Sequence, residues 1–444
     1  MNPVRNFGDS SNMERKNKNR ESVISNRVKA LISSLVIFLI WPSLLIAEVS
    51  LHGFLQGNYT PRVTGEKLKT EGESDFLLAE ERVQLKLSDY SSSGDAGYFV
   101  KVDFFRDSIE NNTDIDIREA YLDYSSQLYS FRIGRQIITW GVGDLLFIND
   151  VFPKDYFAFF TGRPLEYLKI GSDAFKIDFF PGFLSAEVVV IPFFEPNNLP
   201  TGQRLFIFDP FSEIQDRETL KPSPEFENME LALRFYRNVL GFDTSLYAYK
   251  GFSHFPGMRP DNLTSPSKIS FFFPELAVYG FSAQGNAVNG LLSIEGGYYD
   301  SLDDQDGTDP LIVNSQTMFL VGYQRPLLWK EFNIGLQYYG EYMHKYDNYE
   351  KSLPQSFPKQ DKLRQYITFR LTQFLKYQTL KLSLFAFYSP NDEDYFIIPE
   401  IKYNISDEMW ISIGGNVFGG KVDNTFFGQL NKNDNLYLTL RYEF

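Results

Sequence analysis

The chain reads as an all-β protein: a single transmembrane antiparallel up-and-down barrel of about 18 strands, with 16 as the lower count. Three observations predict it. An apolar run lies near the N-terminus, strand-like segments are joined in a regular long and short order, and the last segment alternates before stopping on an aromatic residue.

Taken in order, Ala30 to Ile46 is almost unbroken in its apolar character, is preceded by Arg27 and Lys29, and is closed by Ala47. It is short for a bilayer span and carries Pro42, which favours a removable secretory signal over a retained anchor. Residues 1–47 are therefore expected to be a polar leader plus signal peptide, with Met13 as a second candidate start, and 48–444 to be the mature barrel. No linker or composition break divides that region, so one large domain is expected.

Aromatic residues make up 17% of the chain, with 43 Phe and 27 Tyr. No run after Ala47 is long and apolar enough for a membrane helix. Strands that give half of their side chains to lipid reconcile the two facts, because such a segment averages to moderate hydropathy. Residues 82–88 and 366–372 show the period of two clearly: Val83, Leu85 and Leu87 oppose Arg82, Gln84 and Lys86, and Ile367, Phe369 and Leu371 oppose Thr368, Arg370 and Thr372.

The joints carry the topology. From a first strand at 48–60 they run long at 61–75, short at 91–94, medium at 106–113, short at 125–127, long at 139–165 and short at 181–182. They continue long at 196–225, short near 238, long at 251–271, short at 284–288, long at 300–311, short at 325–328 and long at 345–361. Short joints at 375–377, 390–394 and 404–407 and a long one at 418–432 complete the series. Long loops on one side and short turns on the other are the habit of an outer-membrane barrel. An even strand number returns both ends of the wall to the periplasmic side. A lumen this wide is expected to hold water, a plug or both.

In the last segment Leu436, Leu438, Leu440, Tyr442 and Phe444 share one face, predicted to meet lipid, while Arg441 and Glu443 share the other.

The loop 139–165 is the densest cluster of unusual residues. Its many aromatics and apolars do not suit a solvated surface loop, so it is expected to fold inward and constrict the lumen; packing on the outer rim or a neighbouring subunit is the alternative. The pore-lining and constriction candidates are Arg118, Arg132, Arg135, Trp140, Asp144, Asp150, Lys154, Arg163, Arg234, Glu341, Arg370 and Arg441. Charges of both signs at lumen-facing positions are expected to order water and favour small polar solutes, although any single pair serves equally well as wall stiffening.

Gly134-Arg-Gln136, Trp140-Gly141, the run Asn149 to Asp155 and Val190 to Pro200 resemble segments of a poorly characterised family of large Gram-negative outer-membrane porin-like barrels, distantly similar to alginate-export barrels. Val142-Gly143-Asp144 and Phe152-Pro153 depart from that family's pattern. The resemblance implies fold, an outer-membrane location and passive or facilitated passage of solutes, and no particular substrate. The terminal Phe444 resembles the aromatic end that such barrels present to the barrel assembly machinery.

Without residues 1–47 the chain has 36 Lys plus Arg against 54 Asp plus Glu, a net charge near −18. Such a surface argues against nucleic acid. Cysteine is absent, so disulfides contribute nothing. The acidic loop Asp300 to Asp309 offers oxygen ligands to a hard cation but lacks EF-hand spacing, and a solvated loop bridged to lipopolysaccharide is the expected reading. No cofactor or metal motif is found, and an enzyme is not expected: Ser253 and His254 are adjacent on a strand and point apart. Expected partners are outer-membrane lipid, lipopolysaccharide, the assembly machinery and a small solute, with a homotrimer possible. A structural barrel enclosing a partner protein is the second reading, and an outer-membrane hydrolase the third.

Overall fold

The computed structural model describes residues 50–64, 75–262, 265–327, 331–354 and 357–444. The leader and signal peptide expected at 1–47 lie outside these residues. The wall begins with β1 (Ser50–Pro61), β2 (Phe76–Tyr90), β3 (Ala96–Asp107), β4 (Asn112–Ser125), β5 (Tyr129–Gln136), β6 (Ser172–Phe179) and β7 (Ser185–Ile191). After β8 (Asp216–Leu220) come the wall strands β9 (Glu230–Val239) and β10 (Phe242–Phe252), then β11 (Gly257–Pro260) and β12 (Lys268–Phe272). The wall resumes with β13 (Glu275–Ala287), β14 (Gly290–Ser301), β15 (Gln316–Pro326), β16 (Phe332–Met343) and β17 (Leu363–Leu375). It ends with β18 (Leu380–Ser389), β19 (Asp394–Asn404), β20 (Met409–Gly420) and β21 (Asn435–Glu443).

Among the described residues 18 strands pair neighbour to neighbour, all antiparallel, while β8, β11 and β12 form a separate three-stranded sheet within the long joints. The circle closes where β1 pairs with β21, from Phe54 opposite Glu443 to Tyr59 opposite Leu438. Beyond that ladder, Gly53 N–H donates to Phe444 O at 2.8 Å and Phe444 N–H to Gly53 O at 2.9 Å. Closure leaves the wall no unpaired edge among the described residues, the condition a sheet must meet in lipid.

The 18 strands and the alternation of joints agree with the sequence reading. One joint is tighter than expected. The medium joint at 106–113 shrinks to Ser108 to Asn111, because the Asp107 carboxylate accepts the backbone N–H groups of Ile109 and Glu110 and Asn111 takes φ 50°. Two turns shrink to two residues, Leu240-Gly241 and Val288-Asn289, each with positive φ at both positions. That geometry matches strand twist in a hairpin.

The alternation decides the two faces. In β21, Leu436, Leu438, Leu440, Tyr442 and Phe444 are open on the outer face, whereas Tyr437, Thr439 and Arg441 are buried inside; Glu443, at the strand end, is exposed. Aliphatic residues such as Leu55, Leu122, Ile133, Leu246, Leu336 and Ile413 form the exposed middle band. Exposed tyrosines mark its margins: Tyr59, Tyr279, Tyr298, Tyr342, Tyr388 and Tyr395 at the long-loop ends, and Tyr90, Tyr129, Tyr403 and Tyr442 at the short-turn ends. An apolar belt between two aromatic girdles suits a bilayer core between two interfaces. Among the described residues no helix is long and apolar enough to cross a membrane.

Inside, Phe385, Phe387, Phe396 and Phe418 project from the wall and pack with Phe159 and Phe160 of the loop after β5, Phe427 and Leu430 of the joint after β20, and Leu205 of the joint after β7. The core of this barrel is thus made by its own long joints folded against the wall.

Candidate functional site

Residues 137–171, between β5 and β6, run across the lumen. Their first anchor is Glu295, a buried carboxylate on the inner face of β14. It accepts the backbone N–H groups of Val142 (2.8 Å), Gly143 (3.0 Å) and Asn149 (2.8 Å) and the Asn149 side-chain amide (2.9 Å). One carboxylate thus serves four donors and bends the loop into a tight arc. Wall glycines make the room: Gly280 and Gly297 face each other across β13 and β14, and a Cβ at Gly297 would come 2.7 Å from Ile148 Cγ2. Gly141, at φ 78°, lies where a Cβ would meet the Glu295 carboxylate.

The far end of the loop reaches the opposite wall. A short helix, α1 (Tyr156–Phe160), is capped by Asp155, whose carboxylate accepts the Ala158 N–H at 2.7 Å. Burial pushes the Asp155 carboxyl up, against the pull of Arg163. At the end of α1, Phe160 O accepts from the amides of Asn416 and Asn435 at 3.2 Å, Thr161 O from Thr60 at 2.7 Å, and Gly162 O from Asn58 at 3.2 Å. Arg163 donates to Glu80 at 2.6 Å, and Tyr167 to Asp103 at 3.0 Å. The loop therefore touches strands around the whole circumference.

The twelve candidates fall into three groups. Trp140, Asp150, Lys154, Arg118 and Arg163 are packed within the loop or between it and the wall. Trp140 donates to Glu187 at 3.0 Å and packs edge-on to Phe152; Arg118 donates to the carbonyls of Glu166 and Lys169. Asp150 is held by Lys154 and by Lys169, and both lysines sit over the Phe147 ring, 4.5 and 4.7 Å from its centre. Burial pushes the Lys154 ammonium down to about 7, against three oxygen acceptors: the Asp150 carboxylate and the carbonyls of Asp150 and Phe152. Lys169 is lowered to about 8 by burial, against the pull of Glu295.

Asp144, Arg234, Glu341, Arg370 and Arg132 take inner-face or loop positions nearer to open space, and Arg441 joins them on the inner face, buried against β1 and the loop. Arg370 grips Asp144, Arg441 pairs with Glu166 and Gln56, and Arg132 lies 3.9 Å above the Tyr121 ring. Arg234 reaches Ser245, and Glu341 accepts the Tyr339 hydroxyl. Arg135 alone sits elsewhere. It has the outward parity of Ile133, pairs with Asp173 opposite it on β6, and lies outside the lumen, because Gly134 and Gln136 take the inner positions.

Part of the inner-face charge is buried in pairs: Arg82 bonds Glu80 and Asp103 within the wall, and Arg204 of the joint after β7 holds Asp107 at the end of β3. The sequence reading missed Glu295 and Gln337. A carboxylate at inner parity followed by Gly296-Gly297 was the available signal. Gln337 offered none, because it was one polar residue among many in an alternating strand.

Two cavities lie on the short-turn side of the loop. One of about 290 Å³ is bounded by Phe159, Arg163 and Glu166 above and by Lys381, Glu400 and Trp410 among its wall residues. The other, about 240 Å³, is bounded by Val142 to Asp144 and by polar wall residues including Gln284, Gln337 and Thr368.

No nucleophile is paired with a base at Ser253 and His254: the serine donates to Phe255 O at 2.9 Å, and His254 Nδ1 bonds Glu195 O at 2.7 Å. In the acidic loop Asp304 accepts the N–H groups of Thr308 and Asp309, and Asp309 pairs with Arg259. Those carboxylates shape the turn.

No family model and no curated protein matches the chain. Among solved structures it is similar to Pseudomonas aeruginosa OccK11 (OpdR), at 11% identity and a TM-score of 0.48, over 89% of this chain and 95% of that one. It is likewise similar to Pseudomonas aeruginosa OccK10 (OpdN), at 11% identity and 0.48, over 90% and 99%. Vibrio cholerae OmpT, an outer-membrane protein, is similar at 9% identity and 0.42, over 90% and 99%. These likenesses are distant, and the barrel stands on its own strand register.

Proposed function

We propose that this barrel is a porin-like channel of a Gram-negative outer membrane, passing small solutes through a lumen narrowed by residues 137–171. The observation that carries the reading is the anchoring of that loop to inner-face side chains on opposite walls, Glu295 on one side and Asn58, Asn416 and Asn435 on the other. A loop fixed in this way sets the bore, and its side chains select what passes. The apolar belt with its aromatic margins supports membrane insertion, and the long joints then face outward and the short turns the periplasm.

A barrel that encloses a partner protein is less well supported, because the chain's own loop already occupies that space. Assembly through the C-terminal strand, lipopolysaccharide contact at the long loops and trimer formation are compatible with this reading; none of them carries it. Deletion of 145–160, refolded and inserted in a planar bilayer, is expected to raise single-channel conductance several-fold. Conductance equal to that of the full chain sinks the constriction.

A further inference from the structure

Asp150 lies between two lysines. Its carboxyl group is 2% exposed, with Lys154 Nζ 3.2 Å from Oδ1 and Lys169 Nζ in contact with Oδ2. The backbone holds the two lysines in place. Lys154 and Lys169 face each other across an antiparallel bridge, flanked by bonds from Asp155 N–H to Leu168 O at 2.8 Å and from Ile170 N–H to Pro153 O at 3.2 Å. The Phe147 ring packs against both lysine nitrogens. A carboxyl group and a primary amine thus meet away from water, where the outgoing and returning arms of the loop come together.

The two lysines differ in what they can give. Lys154 offers its three hydrogens to three acceptors, the Asp150 carboxylate and, at 2.7 Å each, the carbonyls of Asp150 and Phe152. So satisfied, it stays an ammonium with no lone pair to share, although burial lowers it further than Lys169. Lys169 has Asp150 as its one hydrogen-bond acceptor among the described residues, and burial favours its neutral amine. The dry pairs of Arg82 with Glu80 and Asp103 can do nothing comparable, because a guanidinium keeps its proton. Opposite charges buried at Asp150 and Lys169 carry a desolvation cost that a neutral amide would not.

We propose that Lys169 and Asp150 join spontaneously in the folded barrel through an isopeptide bond. A proton passes from Lys169 Nζ to Asp150 Oδ2, leaving an amine beside a carboxylic acid. The amine lone pair attacks Cγ, and the Lys154 ammonium stabilises the charge that gathers on Oδ1. A second proton moves from Nζ to Oδ2, the Cγ–Oδ2 bond breaks, and one water leaves. Nothing is oxidised or reduced, and no co-reactant is needed. The new amide closes a ring from Asp150 to Lys169 around α1, in a chain that has no cysteine to staple it otherwise.

The test is a tryptic map of the full chain, digested after denaturation, with folding confirmed beforehand by heat-modified gel mobility. In the refolded protein residues 136–154 should stay joined to 155–176, lighter than the two together by one water, because an acylated Lys169 resists trypsin. Fragmentation should place the branch between Asp150 and Lys169. Chain purified from inclusion bodies and held in urea should instead yield 136–154, 155–169 and 170–176 as separate peptides. Asp150→Ala and Lys169→Arg should give no branched product after refolding. In a refolding time course read by intact mass, Lys154→Met should lose its water several-fold more slowly than the wild type. Separate peptides from the refolded wild type overturn the proposal, and that map decides the matter even where a variant fails to fold. A branch at Lys154 overturns the choice of amine, equal rates in Lys154→Met overturn the part given to Lys154, and a branch formed equally in urea overturns the folded site as its cause.

Discussion

At the scale of single residues the lumen is organised by a few buried polar groups. Glu295 is the clearest, since four donors depend on one carboxylate. Each buried donor left without a partner costs about 1–3 kcal/mol. Glu295→Ala should therefore loosen residues 141–149 while leaving the wall closed. Limited proteolysis should then cut the loop faster than in the wild type, with heat-modified mobility unchanged; unaltered protection would show that Glu295 is no anchor. His254 makes a pH-dependent case. It is buried with Nε2 unpartnered, 3.7 Å from Glu230, and burial pushes its imidazole down to about 4. The unfolded chain thus binds a proton at a pH where the folded chain does not. The docking of this segment is fully stable above about pH 6.5 and weakens as pH falls toward 4, by on the order of 3 kcal/mol in full. Protection of the amides in residues 253–262, taken after correction for the intrinsic pH dependence of amide exchange, should fall between pH 7 and pH 5, and His254→Gln should flatten that dependence. Equal protection at both pH values would refute it.

At the scale of elements, glycine and aromatic residues work as cross-strand partners. Phe281 lies on Gly296, Phe319 on Gly340 and Tyr395 on Gly419, each pair directly opposed in the ladder. A ring lying flat over a missing side chain covers backbone that glycine would leave bare. The closing seam uses the same device, because a Cβ on Gly53 would stand 2.8 Å from the Phe444 ring. Gly53→Val should displace that ring and the two backbone bonds beside it, lowering the temperature at which the barrel loses its heat-modified mobility by several degrees. An unchanged transition would mean that Phe444 contributes nothing to closure in the folded state. Pro399 marks the opposite behaviour. It has no N–H to give, and the β19 to β20 ladder is interrupted at Ile398 and Pro399 without losing register.

At the scale of the whole molecule, what was legible in the sequence is what period and punctuation control. Alternation in β2, β17 and β21 gave the faces, and turn residues gave the strand count, because both depend on neighbours in the chain. The content of the lumen depends on partners more than a hundred residues apart. Glu295 and Asn149 meet across 146 positions, and Arg370 and Asp144 across 226, so no local pattern announces them. Composition alone marked the loop after Trp140 as apolar and aromatic. Arg135 was misplaced for a related reason: in a run as dense as Gly134-Arg-Gln136, the face is settled only by the pairing with β6.

The contacts at the end of α1 bear on how such a barrel is made. Its carbonyls accept from Asn58 and Thr60 on the first strand and from Asn435 on the last, the two strands whose meeting completes the circle. The segment is a clasp fastened to both sides of the closure, and it reaches both from within. Because the same clasp bonds both strands of the seam, the circle is held shut from within as well as along its own ladder, and loosening the clasp should weaken closure itself.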